Sequence, residues 1–476
     1  MITASHNPVE DNGVKLIDPF GEMLAVDWES HATRLANVPE DKIGEVLQSI
    51  INSNSIDMSQ KAIVFVGRDT RPSSTRFQEA VERGVTLMDG EVKDFGLVST
   101  PIVHFVVTCF NDGGEYGEPT EEGYFEKLAA AFVNLRTEGS SKGSYIPEIL
   151  FDGANGIGAL KMVKLLKYLK GTLKAQIFNQ GDGELNHLCG ADYVKSNQRS
   201  PNGVPSPSDL RCVSVDGDAD RIIYSYYDEE NKFHMLDGDK IATLVAGYIK
   251  NLVEKAGVQL NLGLVQTAYA NGASTEYINK QLGIPVACAC TGVKHLHHAA
   301  LEFDIGVYFE ANGHGTVLFS KNARNAIKTA AGNGSSSAIE LLNVMSLINE
   351  TVGDALSDML LVETVLLANG WSAKEWDEAY TDLPNRLTKV TVNDRSVITT
   401  TNAERTCVTP KGLQEVIDSF VSNYPKGRAF VRPSGTEDIV RVYAEAATEE
   451  DVRKLSNEIA LAVYDHAGGL GQRPTL

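Results

Sequence analysis

The hydrophobic period of this chain switches repeatedly between strand-like and helix-like, and that alternation limits the possible folds more than any single motif. "KAIVFVGRDTRPSS" (61–74) reads as a buried strand and a loop, with a helix expected from about Thr75 to Met88. "PEILFDGANGIGALKMVKLLKYL" (147–169) repeats the plan, with glycines at the turn and apolar residues at helical spacing afterwards. "LRCVSVDGDADRIIYSYYD" is a strand, a tight acidic loop and a second strand, and "DKIATLVAGYIKNLVEKAG" is an amphipathic helix. Residues 262–320 alternate strand and helix several times more. Such alternation implies layered α/β domains with mixed or parallel sheets. The Gly/Glu-rich stretch from Asp112 to Glu122 reads as a linker or surface loop, and "AAGNGSSSAIE" as a flexible element leading into a helix. The end of the chain has a different texture. "LPNRLTKVTVND" and "GRAFVRPSGTEDIVRVYAEA" are strands, and "TEEDVRKLSNEIALAVYDHA" is a helix. Thr448 is its expected cap with Asp451 completing a capping box, and Val452, Leu455, Ile459 and Val463 form its apolar stripe. A separate α+β domain is the reading.

With 476 residues the chain is too long for one hydrophobic core, and two to four domains are expected. No stretch of about 18 uncharged apolar residues suggests a membrane span, and the first residues lack the pattern of a signal peptide. Cysteines 109, 189, 212, 288, 290 and 407 show no paired spacing, so reduced thiols in a cytoplasmic protein are expected. A formal net charge of −20 disfavours nonspecific binding to nucleic acid or to an anionic membrane. An anionic small substrate still fits if basic side chains converge locally.

Four motifs carry chemistry. In "VDGDADR" (215–221), Asp216, Asp218 and Asp220 alternate, so an extended loop would point the three carboxylates one way. Two bare carboxylates about 4 Å apart repel by roughly 4 kcal/mol at an effective dielectric of 20, a penalty that a hard cation removes. Magnesium suits three oxygen ligands with room for water or phosphate oxygen. A calcium EF-hand would need glycine and glutamate where Arg221 and Tyr227 stand, and a solvated acidic turn is the plainer alternative. In "RPSGTED" (432–438), the Ser434 and Thr436 hydroxyls, amides freed by Gly435 and the Arg432 fork can cradle phosphate, with Arg441 returning on the next strand. A simple Pro-Ser-Gly turn competes with that reading. In "FEANGHGT" (309–316), Glu310 and Asn312 can meet sugar hydroxyls or an amide, though Asn-Gly is also a common hairpin turn. The opening "TASHNPVEDNGVK" offers Ser5, His6 and Lys15: a serine that exchanges phosphate, and two candidates to shuttle protons. "GANGIGALK" has the wrong spacing for a dinucleotide loop and reads as helix-start packing, while Lys294, His295, His297 and His298 suggest a loop facing an anion.

"TASHNP", "DGDADR", "EANGHGT" and "RPSGTED", in this order, resemble the four active-site loops of the α-D-phosphohexomutases, and they span Ser5 to Arg441. The alanine after Glu310 and the segment "DGELNHLCGADYVK" (182–195) resemble the branch that acts on N-acetylglucosamine phosphates, since glucose- or mannose-type members usually carry serine after the glutamate. The resemblance implies a multidomain α/β architecture around a central cleft: three related α/β domains with mixed sheets (1–122, 123–235, 236–372) and an α+β domain (373–476). It implies interconversion of N-acetylglucosamine 6-phosphate and 1-phosphate, on the way to UDP-N-acetylglucosamine, through a phosphoserine and a 1,6-bisphosphate that turns around in the cleft. Ser5 would be the phosphoserine and, with Asp216, Asp218 and Asp220, would hold one magnesium ion. Glu310, Ala311 and Asn312 would meet the sugar; Arg432, Pro433, Ser434, Gly435, Thr436 and Arg441 would grip the non-transferring phosphate, and Arg221 would face the substrate. Lys15 matches a lysine near the reacting hydroxyl in related mutases. Lys15, Arg68, Arg71, Arg221, Arg432 and Arg441 are expected to form one positive hollow in a negative body. The partner expected is the small sugar phosphate, with no obligate protein, nucleic acid or membrane.

Family members also carry several dozen residues before the serine loop, including a first strand and helix. The chain is therefore expected to be truncated, with an open sheet edge and impaired activity. A glucose or mannose phosphomutase, and a form that only binds sugar phosphate, are the alternatives.

Overall fold

The computed structural model of the protein describes residues 1–136, 142–207, 210–435 and 437–475. Its internal contacts divide it into two compact units. The first comprises Met1–Ser141, Tyr145–Met235 and Asn343–Thr364; the second comprises Lys142–Ser144, Leu236–Leu342 and Val365–Leu476.

In the first unit the strands Ile63–Arg68 and Glu91–Leu97 pair in parallel, with the helix Ser74–Leu87 between them in sequence. That helix begins one residue earlier and ends one earlier than expected. Ile2 joins this sheet: its amide donates to Gly67 O at 2.8 Å, and the Asp69 amide donates to Ile2 O at 3.0 Å. This bridge sets the first residues beside the end of the strand that carries Arg68, which Asp69 follows. A five-stranded mixed sheet follows, in the order Lys174–Phe178, Glu148–Asp152, Cys212–Val215, Ile222–Tyr227 and Phe233–Leu236. Its first three strands are parallel, and Cys212–Val215 turns back antiparallel into Ile222–Tyr227. That reversal places the acidic loop between the fully buried strand Cys212–Val215 and the strand Ile222–Tyr227, buried except at Tyr227. "GANGIGALK" does open a helix, Ile157–Tyr168, and its glycines serve close packing: a Cβ on Gly158 would lie 2.6 Å from the Val215 side chain. The residues from Asp112 to Thr120 form a connection between helices Thr100–Asn111 and Glu121–Asn134 of the same unit, while Glu121 and Glu122 already belong to the second helix.

The second unit holds a four-stranded sheet ordered Gly315–Phe319, Ile305–Phe309, Leu262–Thr267, Val286–Ala289. Only the hairpin pair is antiparallel. The helix Gly238–Ala256 covers it, capped by Asp237 and closed by Gly257 in the left-handed conformation. The same unit contains a three-stranded antiparallel sheet, Asn385–Thr391, Ile439–Glu445 and Arg428–Pro433, with the helices Leu413–Val421 and Glu449–His466 packed on it. Val452, Leu455, Ile459 and Val463 are fully buried along one stripe of the last helix. Each such side chain contributes about 1.5–3 kcal/mol by leaving water. The expected capping box at Thr448 is half formed. Its hydroxyl accepts from the Asp451 amide at 3.1 Å, but aspartate is one methylene shorter than Glu375, which closes the reciprocal box with Ser372.

Candidate active site

Ser5 occupies a left-handed backbone conformation, with φ 47°. A non-glycine residue there costs of order 1–3 kcal/mol and persists only where its surroundings impose it. They do so here through three side chains. Asn186 Nδ2 donates to Ser5 O at 2.9 Å and to Asn7 O at 3.2 Å. Arg71 Nη2 donates to Asn7 O at 2.8 Å while its other arm is ion-paired with buried Asp69. Thr3 Oγ1 donates to Asp69 at 2.8 Å and accepts from the Ser5 amide at 3.2 Å. Gly217 permits the loop to close over the acidic turn, since a Cβ there would stand 2.5 Å from Ser5 O. The result is a buried serine whose hydroxyl donates to Asp218 Oδ2 at 3.3 Å.

The acidic loop is a turn, not the extended run expected from its alternation. Asp216 Oδ1 accepts from the amides of Asp220 and Arg221 at 3.1 and 3.2 Å, and Ala219 takes φ 60°. The three carboxylates nevertheless converge: one oxygen from each of Asp216, Asp218 and Asp220 lies within 4.8 Å of the others, all buried. Oxygens around a magnesium ion at about 2.1 Å stand about 3.0 Å apart when adjacent and about 4.2 Å when opposite, so a set confined within 4.8 Å needs only a small inward shift to hold one. Asp216 Oδ2 and Asp218 Oδ1 are buried without a hydrogen bond, as ligand oxygens kept for a cation would be. Burial, then the Asp220 and Asp218 charges, push the Asp216 carboxyl well above the usual carboxylate range.

Three other side chains meet this turn. Lys15 Nζ sits 2.6 Å from both Asp218 Oδ2 and Asp220 Oδ2. Burial opposes its charge, but the two carboxylates outweigh burial and raise its pKa above the ordinary lysine value, so it is an ammonium at neutral pH. Arg221 Nε lies 3.8 Å from Asp216 Oδ2 and 3.9 Å from Asp220 Oδ1. His6 is lowered from the ordinary histidine value by burial and then by the Arg221 charge, leaving a neutral imidazole.

In the second unit, Glu310, Ala311 and Asn312 form the turn of the hairpin Ile305–Phe309/Gly315–Phe319. The turn is wider than a two-residue Asn-Gly connection: the Glu310 amide donates to His314 O at 2.9 Å, and Gly313 bonds back to Glu310 O. Glu310 Oε1 accepts from the Gly292 amide at 3.2 Å, and Asn312 Nδ2 donates to Oε2 at 3.3 Å. Gly238 makes this possible, because a Cβ at that position would fall 1.8 Å from Glu310 O. Arg432 and Arg441 are direct cross-strand partners. Like charges placed opposite each other repel, and both Nε atoms are buried without a hydrogen bond. An anion between the two forks would resolve both conditions. Pro433 ends its strand, Ser434 is buried with its amide donating to Ile439 O at 2.9 Å, and Gly435 is exposed. Thr436 lies outside the described residues.

Comparison with known proteins gives the family. Family profiles for phosphoacetylglucosamine mutase AMG1, domains II and III, match residues 117–223 and 237–371. Profiles for the phosphoglucomutase/phosphomannomutase alpha/beta/alpha domain I and C-terminal domain match residues 1–42 with 37–115, and 387–462. Phosphoacetylglucosamine mutase of Homo sapiens is 53% identical over 479 residues, covering 100% of this chain and 88% of that protein. The chain belongs to the phosphoacetylglucosamine mutase family. Among solved structures, the Aspergillus fumigatus N-acetylphosphoglucosamine mutase in complex with GlcNAc-6P and magnesium superposes with a TM-score of 0.94 at 49% identity, covering 98% of this chain and 88% of that one. A variant of the same fungal enzyme in complex with glucose 1,6-bisphosphate superposes with a TM-score of 0.91, also at 49% identity and the same coverage.

Against the family's phosphoryl chemistry, some basic residues expected at the site have other work. Arg71 is buried in its pair with Asp69 and props the serine loop, and Arg68 Nε donates to Gln78 at 2.7 Å. Lys294, His295, His297 and His298 lie on the helix Val293–Ala300 rather than a loop, and His297 is buried against the Tyr308 hydroxyl at 3.1 Å. Sequence reasoning missed Thr100 and Asn186. Thr100 Oγ1 donates to Asp218 Oδ2 at 2.5 Å, and its amide donates to Asp218 O at 3.2 Å. "STP" (99–101) signals only the start of a helix, and nothing in it points to the acidic turn.

Proposed function

We infer that this chain interconverts N-acetylglucosamine 6-phosphate and N-acetylglucosamine 1-phosphate through a phosphoserine and a 1,6-bisphosphate intermediate, feeding UDP-N-acetylglucosamine synthesis in the cytoplasm. The observation that carries the site assignment is the Ser5 hydroxyl 3.3 Å from Asp218, inside a buried carboxylate triplet suited to a hard cation. The relatives' substrate and bisphosphate complexes support the reaction. Among the described residues no helix is long and apolar enough to cross a membrane. The reading divides the chain into domains 1–122, 123–235, 236–372 and 373–476, carrying in turn the serine, acidic, sugar and phosphate loops.

In the first half-reaction the bond between phosphorus and Ser5 Oγ breaks, a bond from phosphorus to the free sugar hydroxyl oxygen forms, the hydroxyl proton leaves and Ser5 Oγ takes up a proton. In the second the changes run in reverse at the other phosphate, whose bond to the sugar oxygen breaks as its bond to Ser5 Oγ forms. Transfer of the second phosphate back to Ser5 restores the enzyme. His6, next to Ser5 in the loop, is the candidate to accept the proton. Lys15 and Arg221 place positive charge beside the transferring group. Asp216, Asp218 and Asp220, with the Ser5 phosphate, would hold one magnesium ion, which when bound neutralises charge on the phosphoryl oxygens. Glu310, Ala311 and Asn312 orient the sugar, and Arg432, Pro433, Ser434, Gly435, Thr436 and Arg441 grip the phosphate that stays in place.

A coupled assay with N-acetylglucosamine 6-phosphate, magnesium and a bisphosphate primer tests the reading beside Ser5→Ala. The variant is expected to lose turnover by at least about 1,000-fold, the scale of removing a nucleophile, and to lose the phosphate detected on Ser5 by mass spectrometry. Turnover surviving in Ser5→Ala would refute the assignment.

A further inference from the structure

A strained hairpin turn in the second unit reaches the phosphate-binding arginine from behind. Strands Thr399–Thr401 and Thr406–Thr409 are joined by a turn in which Asn402, Ala403 and Glu404 all have positive φ, at 54°, 53° and 65°. Three consecutive non-glycine residues in that conformation cost about 1–2 kcal/mol each. Arg405 steadies the turn by donating from Nε to Asn402 O at 3.1 Å and from Nη2 to Asn402 Oδ1 at 2.7 Å. Strain of this kind, once observed, points toward function when it delivers a side chain somewhere specific.

Here it delivers Glu404. One carboxylate oxygen, Oε2, accepts from both the amide of Thr291, at 3.0 Å, and the Thr291 hydroxyl. The other, Oε1, lies 3.2 Å from Arg432 Nε. The contact is off the line of a hydrogen bond, so it holds the guanidinium by charge from its Nε side. Both side chains are largely buried, at 16% exposure. Thr291 is followed by Gly292, whose amide holds Glu310 Oε1 at 3.2 Å. A continuous line of contacts thus runs from the sugar-facing carboxylate through Gly292, Thr291 and Glu404 to Arg432.

We propose that Glu404 is a positioning residue: it aims the Arg432 fork at the non-transferring phosphate and ties that grip to the turn carrying Glu310. The inference rests on the reading of Arg432 as a phosphate ligand. A planar fork binds phosphate well only when its rotation is set in advance, and a carboxylate fixed by two donors sets it.

The test uses the full chain with steady-state kinetics on N-acetylglucosamine 6-phosphate and inhibition by inorganic phosphate. Glu404→Ala is expected to raise KM and the phosphate inhibition constant about tenfold, with kcat changed less than about threefold. Misplaced binding groups cost up to about 100-fold, and a partly exposed pair belongs toward the lower end. Thr291→Val, which removes only one of the two donors, should give a smaller change in the same direction. In an Arg432→Ala background, where there is no fork to aim, adding Glu404→Ala should change KM less than about twofold. A purely structural role predicts a loss of thermal stability whose kinetic effect persists in that background. Persistence of the full effect there, or a KM for Glu404→Ala that is unchanged or lowered, would overturn the proposal. A lowered KM would mean that Glu404 competes with phosphate instead of aiming its ligand. Arg432→Ala with unaltered KM and phosphate inhibition would remove the phosphate-grip reading itself, an outcome distinct from failure at Glu404 alone.

Discussion

Replacing Thr100 by valine removes one hydroxyl and keeps the side chain's shape, in a place where the lost contact can be weighed. Thr100 Oγ1 donates to Asp218 Oδ2 at 2.5 Å, and both residues are buried. A hydrogen bond to a charged group contributes about 1.5–3 kcal/mol. Asp218 Oδ2 would still accept from Lys15 at 2.6 Å and from Ser5 at 3.3 Å, so the carboxylate is not orphaned and the lower figure applies. About 1.5 kcal/mol is close to tenfold in an equilibrium constant. Independently, groups that orient a metal ligand without touching the metal typically change metal affinity or activity 10–100-fold. The two estimates meet near tenfold. Titrating turnover against magnesium should therefore give Thr100→Val an activation constant about tenfold higher than the parent, and Thr100→Ser should recover most of it. Magnesium should also raise the melting temperature of the variant less than that of the parent at equal concentration. An activation constant within twofold of the parent, with Thr100→Val folded, would refute the claim that this hydroxyl orients Asp218.

Two further outcomes are expected. In Gly217→Ala the new Cβ would stand 2.5 Å from Ser5 O, so the serine loop must shift; stability should fall by about 1–3 kcal/mol and turnover by more than tenfold, checked by thermal melting and the coupled assay. His104 is buried with Nδ1 2.7 Å from Gly21 O, and burial lowers its pKa to about 3. It stays neutral in the folded chain and takes up a proton in the unfolded chain near 6.5, so its contribution is complete above pH 6.5 and is lost as pH falls from there toward 3, at up to about 1.4 kcal/mol per pH unit. Urea unfolding at pH 7 and 4.5 should show the parent losing about 2.7 kcal/mol more than His104→Gln, and equal losses would contradict this account.

The candidate acidic, sugar and phosphate loops were legible because each sits in a local strand–turn–strand unit with a strong pattern of its own. Asp216, Asp218 and Asp220 lie between Cys212–Val215 and Ile222–Tyr227, and Arg432 faces Arg441 across one hairpin, so short-range pattern alone brings those groups together. The supports were not legible, because each acts over a distance at which sequence carries no period. Thr100 meets Asp218, Asn186 meets Ser5 O, and Arg211 meets buried Glu363, all across more than a hundred residues. Charge sign misled for the same reason. Counting Arg71 toward a positive hollow ignored that a buried cation needs a partner, and Arg71 has Asp69 two residues away.

That division has a physical consequence for how the Ser5 loop is built. Ser5 stands in a strained conformation that its own residue type does not favour, so the local sequence could not hold it there unaided. Its position is imposed by Asn186, by Arg71 through Asp69, and by the absence of a side chain at Gly217. None of these groups reacts. Substitutions at them should therefore leave the carboxylate triplet able to take a cation while turnover falls, whereas substitutions at Asp216 or Asp218 should remove both together. The acidic turn closes on its own backbone amides through Asp216, and the serine loop does not. The backbone of the acidic turn is thus held locally, and the placement of Ser5 is a product of the tertiary fold.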